Sequence, residues 1–445
     1  MAGNIMNMAM PMMLAQLINL LYSVVDRVYI GRIPDVGTLA LTGLGVTFPI
    51  INILNAFANL FGMGGAPLCS IARGRGEKEE AGRIMQCSYT LLLISGVVLT
   101  ALGYLFLKPL LYLFGASDAT YPYARDYMLI YLAGTLFVMV SLGMNNFINS
   151  QGFGRVGMLS VLSGAVANLV LDPIFIFAFG MGVRGAAIAT VLSQGLSAAW
   201  VLCFLSGKKA ILRLKPAKFF LQGGMTKQIT AMGFSGFTMS ATNSAVQILC
   251  NAQMQAYGGD LYVGVMTILN SVRDILTMPV NGLTSGAQPV LGFNYGAQAY
   301  RRVKKGIVFM TLSCMAYTLV AWLLVFLFPQ FFIQIFNTDD TALLQASIPA
   351  LHMYFFGFFM MTFQFAGQST FVALGKAKHA IFFSIFRKVI IVIPLTILLP
   401  GLFQMGVNGV FWAEPISNFV GGAASFITML CTVWPALKEE KGLTH

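Results

Sequence analysis

Residues 158–180, MLSVLSGAVANLVLDPIFIFAFG, and residues 184–206, RGAAIATVLSQGLSAAWVLCFLS, decide the fold class. Each is an apolar run long enough, at 1.5 Å per residue, to cross a hydrocarbon core roughly 30 Å thick. Only Met181, Gly182 and Val183 separate them. In lipid every backbone amide must find its partner within its own segment, so such runs read as helices. The alternation over about ten residues that marks a transmembrane barrel strand is missing from both.

The whole chain has the same character. Its 445 residues are 57% hydrophobic and 9% charged, and its mean hydropathy is +0.78. A soluble domain carries roughly 25% charged residues, because its surface must face water. The net charge of +12 would suit nucleic acid if it formed a patch. Instead the basic residues sit in short loops between apolar runs, where they orient a membrane chain. No nucleic-acid partner is expected.

Working outward from 158–206, apolar runs fall at 8–30, 44–66, 86–108, 127–149, 158–180 and 184–206, then at 232–256, 262–290, 307–329, 350–374, 381–403 and 407–434. The reading is an all-α polytopic membrane protein of about twelve transmembrane helices. An even number of spans puts both termini on one side. The loops after spans 2, 4, 6, 8 and 10, with the C-terminal tail, hold 21 of the 27 Lys and Arg; Arg387 and Lys388, just inside span 11, are counted with their loop. The opposite side holds Arg27, Arg32, Lys108, Arg125 and Arg184, and Arg273 falls inside span 8. Positive charge favours the inner side, so both termini are expected in the cytoplasm.

The longest polar interruption lies near the midpoint and carries Lys208, Lys209, Arg213, Lys215, Lys218 and Lys227. It divides the chain into a lobe at 1–206, a cytoplasmic linker at 207–231, a second lobe at 232–434 and a cytoplasmic tail at 435–445. The lobes resemble each other. Pro67 pairs with Pro289, Gly74 with Gly296, Phe114 with Phe336, Asp118 with Asp340 and Pro173 with Pro394. Likewise Met181-Gly182-Val183-Arg184-Gly185 pairs with Met405-Gly406-Val407-Asn408-Gly409. Repeats of six spans insert with the same topology, giving two six-helix bundles related by a pseudo-twofold along the membrane normal. That is a transporter architecture, with alternating access by rocking of the halves.

Charge inside the spans is scarce and costs roughly 2.5–3.5 kcal/mol per residue at mid-membrane, so each instance is a functional candidate. These are Asp26 in span 1, Asp172 in span 5, Arg273 and Asp274 in span 8, and Glu414 in span 12. At 1.5 Å per residue, Asp26, Asp172 and Thr190 fall in one layer in the outer half of the first lobe. Asn168, four residues before Asp172, shares its helix face. Pro173 cannot donate a helical hydrogen bond and frees the carbonyl of Leu169. Hard oxygen donors of this kind suit Na⁺. Two close carboxylates equally suit H⁺, since like charges disfavour double ionisation. Snorkelling by Asp26 and helix kinking by Asp172 are the structural alternatives. The repeat pairs Glu414 with Thr190, in the equivalent layer of the second lobe. It reads as a second coupling site, a partner for a substrate cation, or an acid at the interface. Arg273 and Asp274 are neighbours that do not face one another on a helix.

His352, His379 and His445 belong to no metal-binding pattern, and the six cysteines are scattered without a CxxC pair. No cofactor is expected beyond the coupling ion. A phosphate-binding loop and a nucleophile–base set are also missing, so neither ATP hydrolysis nor a membrane-embedded enzyme is expected.

Leu21-Tyr22-Ser23-Val24-Val25-Asp26-Arg27-Val28-Tyr29-Ile30-Gly31-Arg32 resembles the first helix of the multidrug and toxic compound extrusion family. Similar likenesses hold for Asn168-Leu169-Val170-Leu171-Asp172-Pro173-Ile174-Phe175, for Gly182 to Thr190, and for Gly286-Ala287-Gln288-Pro289 through Asn294-Tyr295-Gly296-Ala297. The resemblance covers nearly the whole chain, with a shorter N-terminus. It implies a drug/cation antiporter built as a V-shaped pair of bundles. In one branch of the family the cation site corresponds here to Asp26, Asn168, Asp172 and Thr190, and the substrate cavity to Tyr22 and Asn145. Another branch places acids in helices 7 and 10. Here span 7 has none, and span 10 offers Gln364, Gln368 and His352.

The expected function is therefore export of amphipathic or cationic small molecules against inward Na⁺ or H⁺. The setting is a bacterial plasma membrane, and one chain with two lobes is expected to act as a monomer. The alternative is a lipid-linked saccharide flippase of related architecture. That function needs several cavity arginines to grip pyrophosphate, whereas only Arg273 reads as clearly intramembrane. Arg273 and Glu414 remain candidates for the substrate cavity.

Overall fold

The computed structural model describes residues 1–336 and 340–437. Of the tail expected at 435–445, residues 438–445 lie outside the described residues. Helices dominate, and no strand occurs among the described residues. In chain order the long helices are α1 (Ala2–Gly31), α2 (Gly37–Gly74), α3 (Lys78–Leu105), α4 (Tyr121–Ala133 with Thr135–Ser150), α5 (Gly154–Ala178) and α6 (Val183–Ser206). Then follow α7 and α8, the two arms of Gly223–Gly296. The last are α9 (Tyr300–Leu327), α10 (Thr341–Tyr354 with Phe358–Ala373), α11 (Ala377–Leu398) and α12 (Val407–Thr432).

Eight of these are long and apolar enough to cross a membrane, and ten if the bent pairs α4 and α10 each count as one span. The arms α7 and α8 fall where spans 7 and 8 were expected. They meet at Gly259, whose φ of 71° and ψ of −166° only glycine adopts without strain. Large apolar side chains such as Val98, Leu105, Ile248 and Phe328 are exposed, as a lipid-facing surface requires.

The 62° bend of α4 falls at Gly134. A Cβ there would lie 2.8 Å from both methyl carbons of Val191, so only glycine lets α4 approach α6 at this point.

By contact the chain divides into two units, one of Met10–Gly233 and one of Met1–Ala9 together with the residues from Phe234 onward. Within the first, α2 packs on α3 and α5 on α6; within the second, α10 packs on α12. The two units repeat one another in backbone detail. Gly182 before α6 has φ 59° and ψ −130°, and Gly406 before α12 has φ 56° and ψ −132°. Just inside each helix a glycine meets the backbone of the preceding helix. A Cβ on Gly185 would lie 2.5 Å from the Phe175 carbonyl oxygen, and one on Gly409 would lie 2.6 Å from the Leu399 carbonyl carbon. Each preceding helix also widens to a π turn beside its proline: Ile174–Ala178 after Pro173, and Phe386–Val392 before Pro394.

One expectation about α11 changes. Arg387 and Lys388, read as just inside span 11 but counted with its loop, lie well within the helix, in its π turn, and are 9% and 5% exposed. The apolar run continues on both sides of them, so the helix carries them inward once an acid is present to pair with them. They no longer contribute to the loop charge.

Candidate functional site

In the N-terminal unit, four helices bring together the residues singled out from sequence. Asn168 and Asp172 lie one turn apart on α5, and Asn168 Nδ2 donates to Asp172 Oδ2 at 3.0 Å. Asp172 is fully buried and Asn168 nearly so. Asp26 on α1 has Asp172 and Asn168 as its polar neighbours. Thr190 on α6 donates to the Ala186 carbonyl at 3.0 Å, which leaves its oxygen free to accept. The Tyr127 hydroxyl, from the first arm of α4, stands beside Thr190.

The outstanding feature is what these oxygens lack. Asp26 Oδ1, Asn168 Oδ1 and Asp172 Oδ1 are buried without a hydrogen-bond partner. A buried acceptor without a donor costs about 1–3 kcal/mol, and a charged one costs more. Three such oxygens, on Asp26, Asn168 and Asp172, fall in one cluster.

Beside the cluster lies a cavity of about 60 Å³ lined by Asn19, Tyr22, Asn145, Asn168, Thr190 and Gln194, among others. Four of the residues singled out from sequence thus face one chamber, and Asn168 belongs to both chamber and cluster. Asn19 and Gln194 were missed, although helical spacing offered a signal: Asn19 is one turn before Tyr22, and Gln194 is one turn after Thr190. Tyr127 carried no such signal, since nothing in its own span marks it. Its ring stacks on Tyr131 at 5.9 Å.

The C-terminal unit holds a second polar cluster. Glu414 on α12 is buried, 6% exposed. Arg387 Nη2 donates to its Oε1, while Lys388 Nζ lies 3.4 Å from Oε1 and 3.3 Å from Oε2. Arg273 on α8 stands 4.0 Å from Oε1 and donates to Tyr354 Oη at 2.7 Å; Tyr354 in turn donates to Asn270 Oδ1 at 2.9 Å. Arg273 also reaches its neighbour Asp274 at 3.2 Å, because a long guanidinium can fold back along a helix that separates shorter side chains. The sequence reading placed Arg387 and Lys388 just inside span 11 but, having counted them with its loop, named only Arg273 as clearly intramembrane. Gln364, Gln368 and His352 stay outside this cluster. Gln368 bonds Ser384 and Ser235, Gln364 donates to Gln368, and His352 contacts the Phe326 carbonyl.

Among the described residues no group of three His, Cys, Asp or Glu side chains has the arrangement of a metal centre. The chemistry available is ion and solute binding by buried oxygens and charges within membrane helices. That defines a polytopic helical transporter. The MatE family model matches residues 11–174 and matches again at 236–398, so the chain belongs to the multidrug and toxic compound extrusion family, and each half carries one copy of its repeat. It is a transporter and not an enzyme.

Relatives and solved structures agree. The chain is 26% identical over 428 residues to the multidrug export protein MepA of Staphylococcus haemolyticus (strain JCSC1435), covering 93% of this chain and 90% of that one. It is 25% identical to a protein of Shewanella oneidensis named FAD transporter, with 95% and 93% covered. A multidrug resistance MATE family transporter, solved in an outward-facing conformation, superposes with a TM-score of 0.90 at 22% identity, over 98% of this chain and 96% of that one.

Proposed function

We propose that this chain is a multidrug efflux antiporter of the bacterial plasma membrane, exporting amphipathic, often cationic, small molecules against inward Na⁺ or H⁺. The observation that carries the reading is the trio of buried, unpartnered oxygens on Asp26, Asn168 and Asp172. Through Asn168 they adjoin a chamber to which Tyr22, Asn145 and Thr190 contribute. A cation entering the cluster satisfies all three oxygens; its departure leaves two carboxylates to repel each other. Occupancy by ion and by drug is thereby linked through shared residues, which is what antiport requires. MepA's name as a multidrug export protein supports the same reading.

In this scheme access alternates between the two membrane faces, both termini lie in the cytoplasm, and a single chain suffices. The driving force is adequate. One charge moving down 100 mV supplies about 2.3 kcal/mol, enough for a solute gradient of roughly fiftyfold.

The test is ethidium efflux from proteoliposomes under an imposed Na⁺ gradient or an imposed pH gradient. Efflux driven by one of them identifies the coupling ion. Retention of ethidium under both gradients refutes the proposal.

A further inference from the structure

The C-terminal unit gathers more positive than negative charge around a single buried carboxylate. Arg273, Arg387 and Lys388 all pair with Glu414. Asp274 pairs with Arg273 as well, but its side chain is 66% exposed. Charge held among membrane helices without compensation is costly, so a further anion would stabilise the cluster.

Two observations favour a ligand over a purely structural lock. First, Glu414, Lys388 and Arg273 line one cavity with Tyr354, Asn243 and Gln247. Second, Arg387 does not itself line the cavity but bonds Glu414 Oε1 at its wall, and its Nε is buried without a hydrogen-bond partner. The cavity measures about 20 Å³, room for one or two waters. An anionic group therefore enters by taking the place of the Glu414 carboxylate, not by lying beside it.

We propose that this cavity is an anion subsite for a phosphate monoester carried by an amphipathic small molecule. Lys388, Arg387 and Arg273 hold the phosphate, and Glu414 is the resident anion that it displaces. A phosphate dianion suits three cations better than a monocarboxylate does. Its three terminal oxygens can meet an ammonium and two guanidinium groups at once. Released from the cations, Glu414 is left to neutralise whatever positive charge the same solute or the solvent supplies. The inference is independent of cation coupling in the N-terminal unit, because it concerns different residues and is tested by binding alone.

The experiment compares riboflavin with riboflavin 5′-phosphate, which share one ring system and differ by the phosphate. Binding to the purified full-length protein in phosphatidylcholine nanodiscs is measured by equilibrium dialysis. The phosphorylated flavin is expected to bind at least about tenfold more tightly, the scale of charge-assisted hydrogen bonds. Lys388→Gln should reduce the preference to about twofold, and Lys388→Arg should preserve most of it. Glu414→Gln, which removes the competing anion, should enlarge it; if that variant is not recovered monodisperse, the Lys388 pair decides. Nanodiscs containing phosphatidic acid separate two sources of phosphate. Loss of flavin phosphate binding there assigns the subsite to a lipid headgroup, and undiminished binding assigns it to a soluble solute. Equal binding of the two flavins, no binding of either, or a preference that survives Lys388→Gln overturns the proposal.

Discussion

Asn168 Nδ2 donates to Asp172 Oδ2 at 3.0 Å, and the remaining side-chain oxygen of each residue is buried without a partner. One hydrogen bond thus orients two acceptors toward a common need. Asp26 from α1 adds the third acceptor.

Asp172→Asn and Asp26→Asn should each abolish gradient-driven efflux, with at least a tenfold loss of initial rate in proteoliposomes. Each keeps the side-chain volume and removes the charge that a cation needs. Ethidium binding without a gradient should persist in both. Robust coupled efflux in both variants would exclude this cluster as the coupling site.

Asn145→Ala should raise the apparent KM for ethidium several-fold and leave the ion dependence unchanged, because Asn145 lines the chamber but is absent from the unpartnered cluster. The comparison is efflux rate against ethidium at several ion gradients. A shifted ion dependence would contradict this division of roles.

Gly182→Ala and Gly406→Ala should destabilise the protein by similar amounts, about 1–3 kcal/mol each, since both glycines occupy the same left-handed backbone region. Gly45→Ala is the control. It lies within α2 with open space around its Cβ position, so helix propensity should leave stability equal or slightly raised. Apparent melting temperatures in detergent report all three. Unequal losses at 182 and 406 would argue against equivalent strain in the two repeats.

Glu414→Ala leaves Arg387 and Lys388 buried without their acid and should cost about 3–5 kcal/mol. Adding Lys388→Met should recover part of that loss, because one uncompensated charge is removed with its acid. A double-mutant cycle on melting temperature reads the coupling. Strict additivity would mean that the two groups do not share their energy in this way.

Much of the candidate cation site was legible before folding. Rise per residue placed Asp26, Asp172 and Thr190 at one depth, and a spacing of four placed Asn168 on the face of Asp172. Asn168 and Asp172 do share a face, because an isolated membrane helix is a rigid ruler. Tyr127 was not legible, since its relation to Thr190 depends on how α4 bends at Gly134 and meets α6. Arg387 and Lys388 were placed inside span 11 but counted with its loop, for a related reason. Hydropathy treats a basic pair near a span's start as loop, whereas a single acid on another helix holds both inside.

By itself, the sequence determined the class of the protein: a helical membrane chain, duplicated, with scarce polar groups at defined depths along each span. These follow from local facts, namely apolar length against bilayer thickness, backbone self-satisfaction and helical spacing. Only the tertiary structure decided which of those groups meet. It joined the orphaned oxygens of α1 and α5, set a chamber beside them, and gathered three cations from α8 and α11 around Glu414 of α12. Such encounters depend on the rotation and approach of neighbouring helices, set by small residues such as Gly134, Gly185 and Gly409. No single helix encodes them.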